Sequence, residues 1–153
     1  MTRVDSLRLL EQEVGVLVRR VKRVIGERAR AVHESLQPAA YLMLSYVAEH
    51  GPVRASALVD VFHIDKGAIS RQVGHLLELG LVERTPDPED GRATLLSVTD
   101  EAVQRMQAVA EHRRRALSDQ LADWTDEELA DLAGTLRRYN ATLDQPREAR
   151  VRT

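Results

Sequence analysis

The first part of the chain alternates apolar and polar residues with the period of an α-helix. Between residues 5 and 36, apolar side chains recur at steps of three and four, which keeps them on one side of a helix, at Leu7, Leu10, Val14, Leu17, Val21 and Val24. A second apolar stripe follows Val18, Ile25 and Val32. Two apolar faces on one helix predict that its own domain covers one face and a partner chain covers the other. Pro38 predicts the end of the helix, because proline disfavours helical geometry at the preceding residue.

Three short helices are predicted next. The first spans residues 39–49 and is closed by Gly51, and the second lies around residues 55–62. The third begins after Asp65, whose side chain is suited to cap the first backbone N–H groups, and it stops at Gly80. Its apolar residues cluster on one side of the helix and are Ile69, Val73, Leu76 and Leu77.

After Gly80 the pattern changes from helix to strand. Residues 81–85 and 93–98 are rich in Val, Leu and Thr and flank a turn-rich stretch, which predicts a β-hairpin with a projecting loop. Acidic residues after Thr99 then open a helix. Thr125 and Glu128 have the spacing of a capping box that opens a last helix. The whole pattern predicts a mainly α fold with one small β-hairpin, and past Pro146 a disordered polar tail.

The order of short helix, turn, capped helix and hairpin is that of a winged helix-turn-helix, whose second helix enters the major groove of DNA. The side of this helix opposite the apolar cluster is small at first and then cationic, and it presents Gly67, Arg71 and His75 as candidate DNA contacts. Lys66 and Ser70, near the N-terminal end of the helix, are candidate contacts as well. Small residues let the backbone approach DNA, and Arg71 is suited to a bidentate bond with a guanine edge or to a phosphate. The alternative is that Arg71 and His75 only solvate an exposed helix face.

The predicted hairpin loop carries three acids, Asp87, Glu89 and Asp90, which would repel DNA unless they were engaged. Arg92 stands close enough in sequence to pair with Asp90 and to be oriented by it. Arg92 would then read the shape of a minor groove. Asp90 and Arg92 are therefore candidate contacts of the hairpin, and a solvated polar turn is the alternative.

Composition narrows the remaining function classes. The 153 residues include no cysteine, which excludes disulfides and thiolate metal sites, and the five histidines show no local metal-binding spacing. No P-loop, nucleophile elbow or dinucleotide fingerprint occurs, so we expect neither an enzyme nor a cofactor. The net charge of −2 does not favour nucleic acid in itself, but residues 1–35 hold eight basic residues against five acidic ones. The basic runs at 19–30 and 113–115 are either solvated faces or contacts with DNA or an anionic membrane.

No apolar run approaches the length of a membrane span, and the first twenty residues carry charges that a signal peptide would not have. We therefore expect a cytoplasmic protein that does not bind membranes.

Residues 65–98, DKGAISRQVGHLLELGLVERTPDPEDGRATLLSV, resemble the MarR family of transcriptional regulators. The likeness lies in a helix with a central Ser and Arg, a Gly-Leu-Val-x-Arg entry to the wing, and a wing reading Pro-Asp-Pro-x-Asp-x-Arg, and with the flanking helices it covers roughly residues 5–143. It matches Ser70 and Arg71 to contacts of the recognition helix, and Asp90 and Arg92 to the wing. Two departures, His75 and Gly91, stand where family members often carry basic residues, which implies weaker and more pH-dependent non-specific binding.

The resemblance also implies an organisation and a way of working. It places an N-terminal dimerisation helix at 5–36, the winged helix-turn-helix at 38–98, C-terminal dimerisation helices at 99–143 and a disordered tail at 144–153. It implies a homodimeric, sequence-specific regulator of double-stranded DNA, a repressor on a pseudo-palindromic site that a small effector releases. Weak candidates for an effector pocket are Tyr41, Tyr46 and His112, although these residues suit an ordinary core as well. The alternative function is a helical dimerisation module whose winged helix binds protein rather than DNA.

Overall fold

The computed structural model describes residues 1–144, so nearly all of the predicted tail at 144–153 lies outside the described residues. These residues form six helices and three strands, which are in chain order α1 (Arg3–Val32), α2 (Pro38–His50), β1 (Val53–Arg54), α3 (Ala55–Phe62), α4 (Lys66–Glu78), β2 (Val82–Pro86), β3 (Thr94–Val98), α5 (Asp100–Gln120) and α6 (Asp126–Leu143). The prediction of a mainly α fold with a small β-hairpin is confirmed.

Local side-chain signals set the ends of several helices. The predicted capping box is present at α6, where the Glu128 backbone N–H donates to Thr125 Oγ1 at 3.2 Å and the Thr125 N–H donates to Glu128 Oε2 at 2.8 Å. A second capping box, formed by Thr2 and Asp5, opens α1. Gly51 and Gly80 follow α2 and α4 with φ of 72° and 70°, a region that glycine enters without strain.

The prediction that the first helix continues to residue 36 is wrong. Helix α1 stops at Val32, because His33 adopts an extended conformation with φ −156° and ψ 135°. A local turn replaces the last helical turn, in which the Ser35 N–H donates to His33 Nδ1 and the Leu36 N–H donates to the His33 carbonyl, both at 3.0 Å. The imidazole of His33 thus competes with helix continuation.

The sheet has three antiparallel strands in the order β1-β3-β2. Strands β2 and β3 form the predicted hairpin, in register from Val82 opposite Val98 to Pro86 opposite Thr94. Strand β1 is only two residues long and was not predicted from the sequence. It pairs Val53 with Leu96 and Arg54 with Leu95, so that the segment before α3 is tied to the hairpin.

One hydrophobic core joins the short helices to the sheet. The predicted apolar side of α4 is confirmed, since Ile69, Val73 and Leu76 are buried and Leu77 is partly buried. The other buried apolar residues come from the end of α1, from α2, α3 and the sheet, and from the start of α5, and they include Ala29, Val32, Met43, Leu44, Val47, Leu58, Leu81, Leu96 and Ala102.

The chain divides into two compact units, which are residues 1–111 and the residues from His112 onward. The first unit therefore contains α1 and the start of α5 together with the winged helix-turn-helix. The functional division of the chain at residues 36, 98 and 143 stays a prediction. Within residues 1–144, no helix is long and apolar enough to cross a membrane. The same residues contain no group of three or more His, Cys, Asp or Glu arranged to hold a metal ion.

Candidate nucleic-acid interface

The start of α4 is fixed by the turn that precedes it. His63 ends α3 in the left-handed region with φ 52°, which redirects the chain within three residues. Asp65 then caps α4 as predicted, because its Oδ1 accepts a hydrogen bond of 2.8 Å from the Ala68 N–H. The short turn and the cap place α3 and α4 as the two helices of a helix-turn-helix.

Helix α4 presents most of the predicted residues to solvent. Lys66, Gly67, Ser70 and Arg71 are exposed. His75 differs from the expectation of an exposed contact, because it is half-buried and its Nε2 is buried without a hydrogen-bond partner in the described residues. It lies one turn beyond Arg71, where the helix passes from its exposed surface into the core.

The two glycines of α4 have different surroundings. A Cβ atom at Gly67 would lie 3.1 Å from Asp65 Oδ1 and 3.5 Å from Arg71 Nη1, so the missing side chain leaves room for the cap. A Cβ atom at Gly74 would meet no atom within 4 Å. Packing inside the protein therefore does not explain Gly74, although glycine in a helix costs about 1 kcal/mol relative to alanine.

The base of the wing is held by a hydrogen-bonded ion pair that was not predicted. The wing loop, residues 87–93, starts at Asp87, which is the buried charged residue of the described core and is only 7% exposed. Asp87 Oδ2 accepts from Arg54 Nε at 2.8 Å and from Arg54 Nη2 at 2.5 Å, while Oδ1 accepts from the Glu89 N–H at 2.9 Å. The partners are 33 positions apart, and the sequence pattern contained no signal for the pair.

The electrostatics of the two partners agree with this geometry. The Glu89 N–H, followed by the Arg54 guanidinium, lowers the pKa of Asp87 from its ordinary value. The hydrogen bond and charge of Asp87, with weaker contributions from Asp90 and Glu89, raise the pKa of Arg54. Among the three acids of the wing loop, Arg54 forms hydrogen bonds with Asp87.

The predicted ion pair between Asp90 and Arg92 does not form among the described residues. Asp90 Oδ1 instead accepts from the Arg92 backbone N–H at 3.1 Å, and the Asp90 carbonyl accepts from the Ala93 N–H at 3.0 Å. Because Asp90 is two residues before Arg92, its carboxylate reaches that backbone more readily than the end of the long side chain. Arg92 is left exposed at the end of a closed turn, with its backbone rather than its guanidinium fixed.

A cleft of about 310 Å³ runs between α3 and α4. Lys66 and Ser70, two of the predicted DNA contacts, line it together with Ser56 and Asp60 from α3. Polar groups of both helices therefore meet beside the N-terminal end of α4, where backbone N–H groups favour anions.

The weak effector candidates have ordinary structural surroundings. Tyr41 is buried in the core, and Tyr46 stacks on His50 at 4.0 Å between ring centroids and meets Phe62 edge-on at 6.0 Å. His112 is exposed and belongs to the second compact unit. A small effector therefore stays a prediction from the family resemblance.

The helix-turn-helix, the capped and exposed α4, and the braced hairpin define a winged helix-turn-helix protein. A sequence profile of the MarR family matches residues 35–93, which span α2 to the wing loop. The uncharacterized HTH-type transcriptional regulator YdgJ of Bacillus subtilis is 30% identical over 135 residues, which are 88% of this chain and 81% of YdgJ. The chain belongs to the MarR family and is a transcriptional regulator.

Two solved structures agree with this assignment. The crystal structure of MarR superposes with a TM-score of 0.68 at 26% identity, covering 86% of this chain and 89% of MarR. A putative MarR family regulator from Listeria monocytogenes, complexed with a 26mer DNA, superposes with a TM-score of 0.69 at 19% identity, covering 86% of this chain and 87% of that one. At 19% identity the second likeness concerns the fold alone.

Proposed function

We propose that the protein is a homodimeric, sequence-specific DNA-binding repressor that reads the major groove with α4 and the flanking DNA with the wing. The observation that carries the proposal is the surface of α4, where the exposed Arg71 lies beside Gly67 and Gly74, two positions without side chains. A long bidentate donor beside two positions without side chains suits close approach to base edges. The DNA complex of the Listeria relative supports the same use of this fold.

Contacts with the phosphate backbone position such a protein on DNA. Lys66 is the first residue of α4 and Ser70 follows one turn later. Their position near the helix N-terminus, where backbone N–H groups favour anions, supports phosphate contacts from both. In the wing, the engagement of Asp87 by Arg54 reduces the repulsion that its carboxylate would exert on phosphate. Arg92 is left to meet the backbone or a narrow minor groove.

The homodimer is inferred from apolar surface that the described residues leave uncovered. Helix α1 carries exposed apolar side chains as far as Val21, and so do the end of α5, the connection between α5 and α6, and α6 itself. These side chains are Leu7, Leu10, Leu17, Val21, Leu117, Trp124, Leu132, Leu136 and Leu143. Exposed apolar surface on this scale marks an interaction site. A second copy is the simplest partner, because two identical α4 helices would then read a two-fold symmetric site. We propose repression because a protein that occupies a promoter can repress it simply by excluding other proteins from that DNA.

A direct test is the salt dependence of binding to duplex DNA containing sites selected from random sequence. We expect the logarithm of the affinity to fall steeply and linearly with the logarithm of the salt concentration, since each neutralised phosphate releases counterions. The second candidate, a dimerisation module whose winged helix binds protein, is favoured by the three acids of the wing loop. It would prevail if no duplex were bound even at low salt.

A further inference from the structure

The ion pair between Arg54 and Asp87 has a position that suggests more than packing. Arg54 is the last residue of β1 and the residue that precedes α3, whereas Asp87 is the first residue after β2. The pair therefore connects the first helix of the helix-turn-helix with the base of the wing loop. It adds a side-chain connection to the β1–β3 pairing, which ends at Arg54 opposite Leu95.

The hydrogen bonds of Asp87 extend from Arg54 into the loop itself. One carboxylate oxygen is occupied by the guanidinium, the other accepts the Glu89 N–H, and the Asp87 N–H donates to the Ala93 carbonyl at 3.0 Å. Both ends of the wing loop therefore depend on the residue that Arg54 holds. Because Arg92 lies immediately before Ala93, its direction is coupled to this arrangement.

The exposure of the two partners also differs. Asp87 is 7% exposed, whereas the side chain of Arg54 remains 45% exposed. Without Arg54, a carboxylate with little access to water would lose its two side-chain donors, and it would either turn outward or draw the loop with it. Either response changes the position of a negative charge or of Arg92 at the surface where we expect the phosphates of DNA.

We propose that Arg54 is the positioning residue of the wing, which holds Asp87 so that the wing loop presents Arg92 rather than its acids to DNA. The inference rests on the proposed DNA-binding function. Arg54 acts here through Arg92, and its guanidinium need not touch DNA. The conservative change Arg54→Lys retains the charge but loses the forked donor geometry. The DNA affinity of this variant should therefore lie between those of Arg54→Ala and the wild type.

The test is a double-mutant cycle measured as affinity for a selected duplex. Arg54→Ala and Arg92→Ala are each expected to weaken binding about tenfold per half-site, as the loss of one charge-assisted contact in that half-site does. The double variant is expected to bind hardly more weakly than either single variant, because both changes remove the same contact. Arg54→Ala combined with Arg71→Ala should instead show additive losses. If Arg54→Ala acted only by lowering the stability of the whole protein, it would combine in the same way with Arg92→Ala and with Arg71→Ala.

Arg105→Ala is the matched control, because Arg105 is 40% exposed and also forms an ion pair, with Glu101 on α5. It removes the same charge without touching the wing and should leave the affinity within about twofold. Hydrogen exchange of the Glu89 and Ala93 amides in the free protein gives a second readout. We expect faster exchange in Arg54→Ala but not in Arg92→Ala, Arg71→Ala or Arg105→Ala. Asp87→Asn, which keeps the size of the side chain, repeats the test if Arg54→Ala does not fold.

The failures are distinguishable. A wild type that binds no duplex overturns the proposed function and this inference with it. A wild type that binds, with an Arg54→Ala variant that binds equally well or loses affinity additively with Arg92→Ala, overturns the inference alone.

Discussion

The winged helix-turn-helix and the long helices that flank it bury their apolar residues to very different extents. In α4, three residues are buried among thirteen, whereas α6 has no buried residue among eighteen. In the thirty residues of α1, only Ala29 and Val32, at its C-terminal end, are buried. The first region is therefore stabilised by a core of its own, while the second leaves apolar stripes exposed among residues 1–144. The contrast separates the part that we expect to read DNA from the part that we expect to assemble.

The largest effect should come from charging the apolar stripe of α6. Leu132→Asp combined with Leu136→Asp is expected to break the dimer and to lower affinity for a two-site duplex by at least about 100-fold, since the second half-site is no longer engaged intramolecularly. Ala130→Asp, on the opposite side of α6, is the control and should leave the dimer intact. Sedimentation would measure the assembly, and an unchanged dimer in the double variant would contradict the role given to α6.

The next effect separates α4 from the wing. Arg71→Ala should cost about 1–3 kcal/mol per half-site and relax the preference at one symmetric base position, as the loss of a bidentate base contact does. Arg92→Ala should weaken all sequences more evenly, because its contacts would be to backbone or groove shape. Binding of both variants to cognate and scrambled duplexes measures the difference. Equal losses on both duplexes for Arg71→Ala would remove base reading from α4.

A smaller effect is expected at Gly74. A Cβ atom there has open space, so Gly74→Ala should stabilise the fold by about 0.5–1 kcal/mol. If DNA approaches this surface closely, the same methyl group should weaken binding. Gly134, in α6 on the side opposite its apolar stripe, also has open space and supplies the control. Gly134→Ala should raise the melting temperature without changing DNA affinity. A Gly74→Ala variant that gains both stability and affinity would refute close approach at this point.

The smallest effect concerns pH. The folded-state pKa values of Asp87 and Asp5 are lowered from 3.8, so the stabilisation from these groups is present above that value and is lost as pH falls through the lowered pKa. Their contribution to unfolding free energy should therefore be constant between about pH 5 and pH 8. Denaturation profiles of the wild type and Asp87→Asn should accordingly run parallel in this range and converge in acid. Convergence near neutral pH would contradict an ionised Asp87.

The sequence predicted features that depend on neighbours along the chain. The caps at Asp65 and Thr125, the stops at Gly51 and Gly80, and the apolar side of α4 all follow from local spacing. Strand β1 could not be found in this way, because two residues carry no periodicity. The partner of Asp87 was missed for a related reason, since a carboxylate in the wing has many candidate cations and only tertiary structure brings Arg54 beside it.

Two further predictions from local spacing were wrong because the surrounding structure decides the outcome. A helical wheel assigned His75 to the exposed side of α4, but the neighbouring core half-buries it. The spacing of Asp90 and Arg92 suggested a side-chain pair, whereas the tight turn brings the carboxylate to the backbone N–H instead. The contacts assigned to Lys66, Gly67, Ser70, Arg71, His75, Asp90 and Arg92 stay predictions of the DNA-bound state.

Selection of bound sites from a pool of random duplexes tests the central proposal most directly. A homodimer that reads DNA with two α4 helices should enrich an inverted repeat whose half-sites lie roughly 10 bp apart, centre to centre. In the Arg71→Ala variant, the same selection should lose its preference at one symmetric position of that repeat. Enrichment of no sequence, or of asymmetric sites protected over a single half-site, would contradict the proposal.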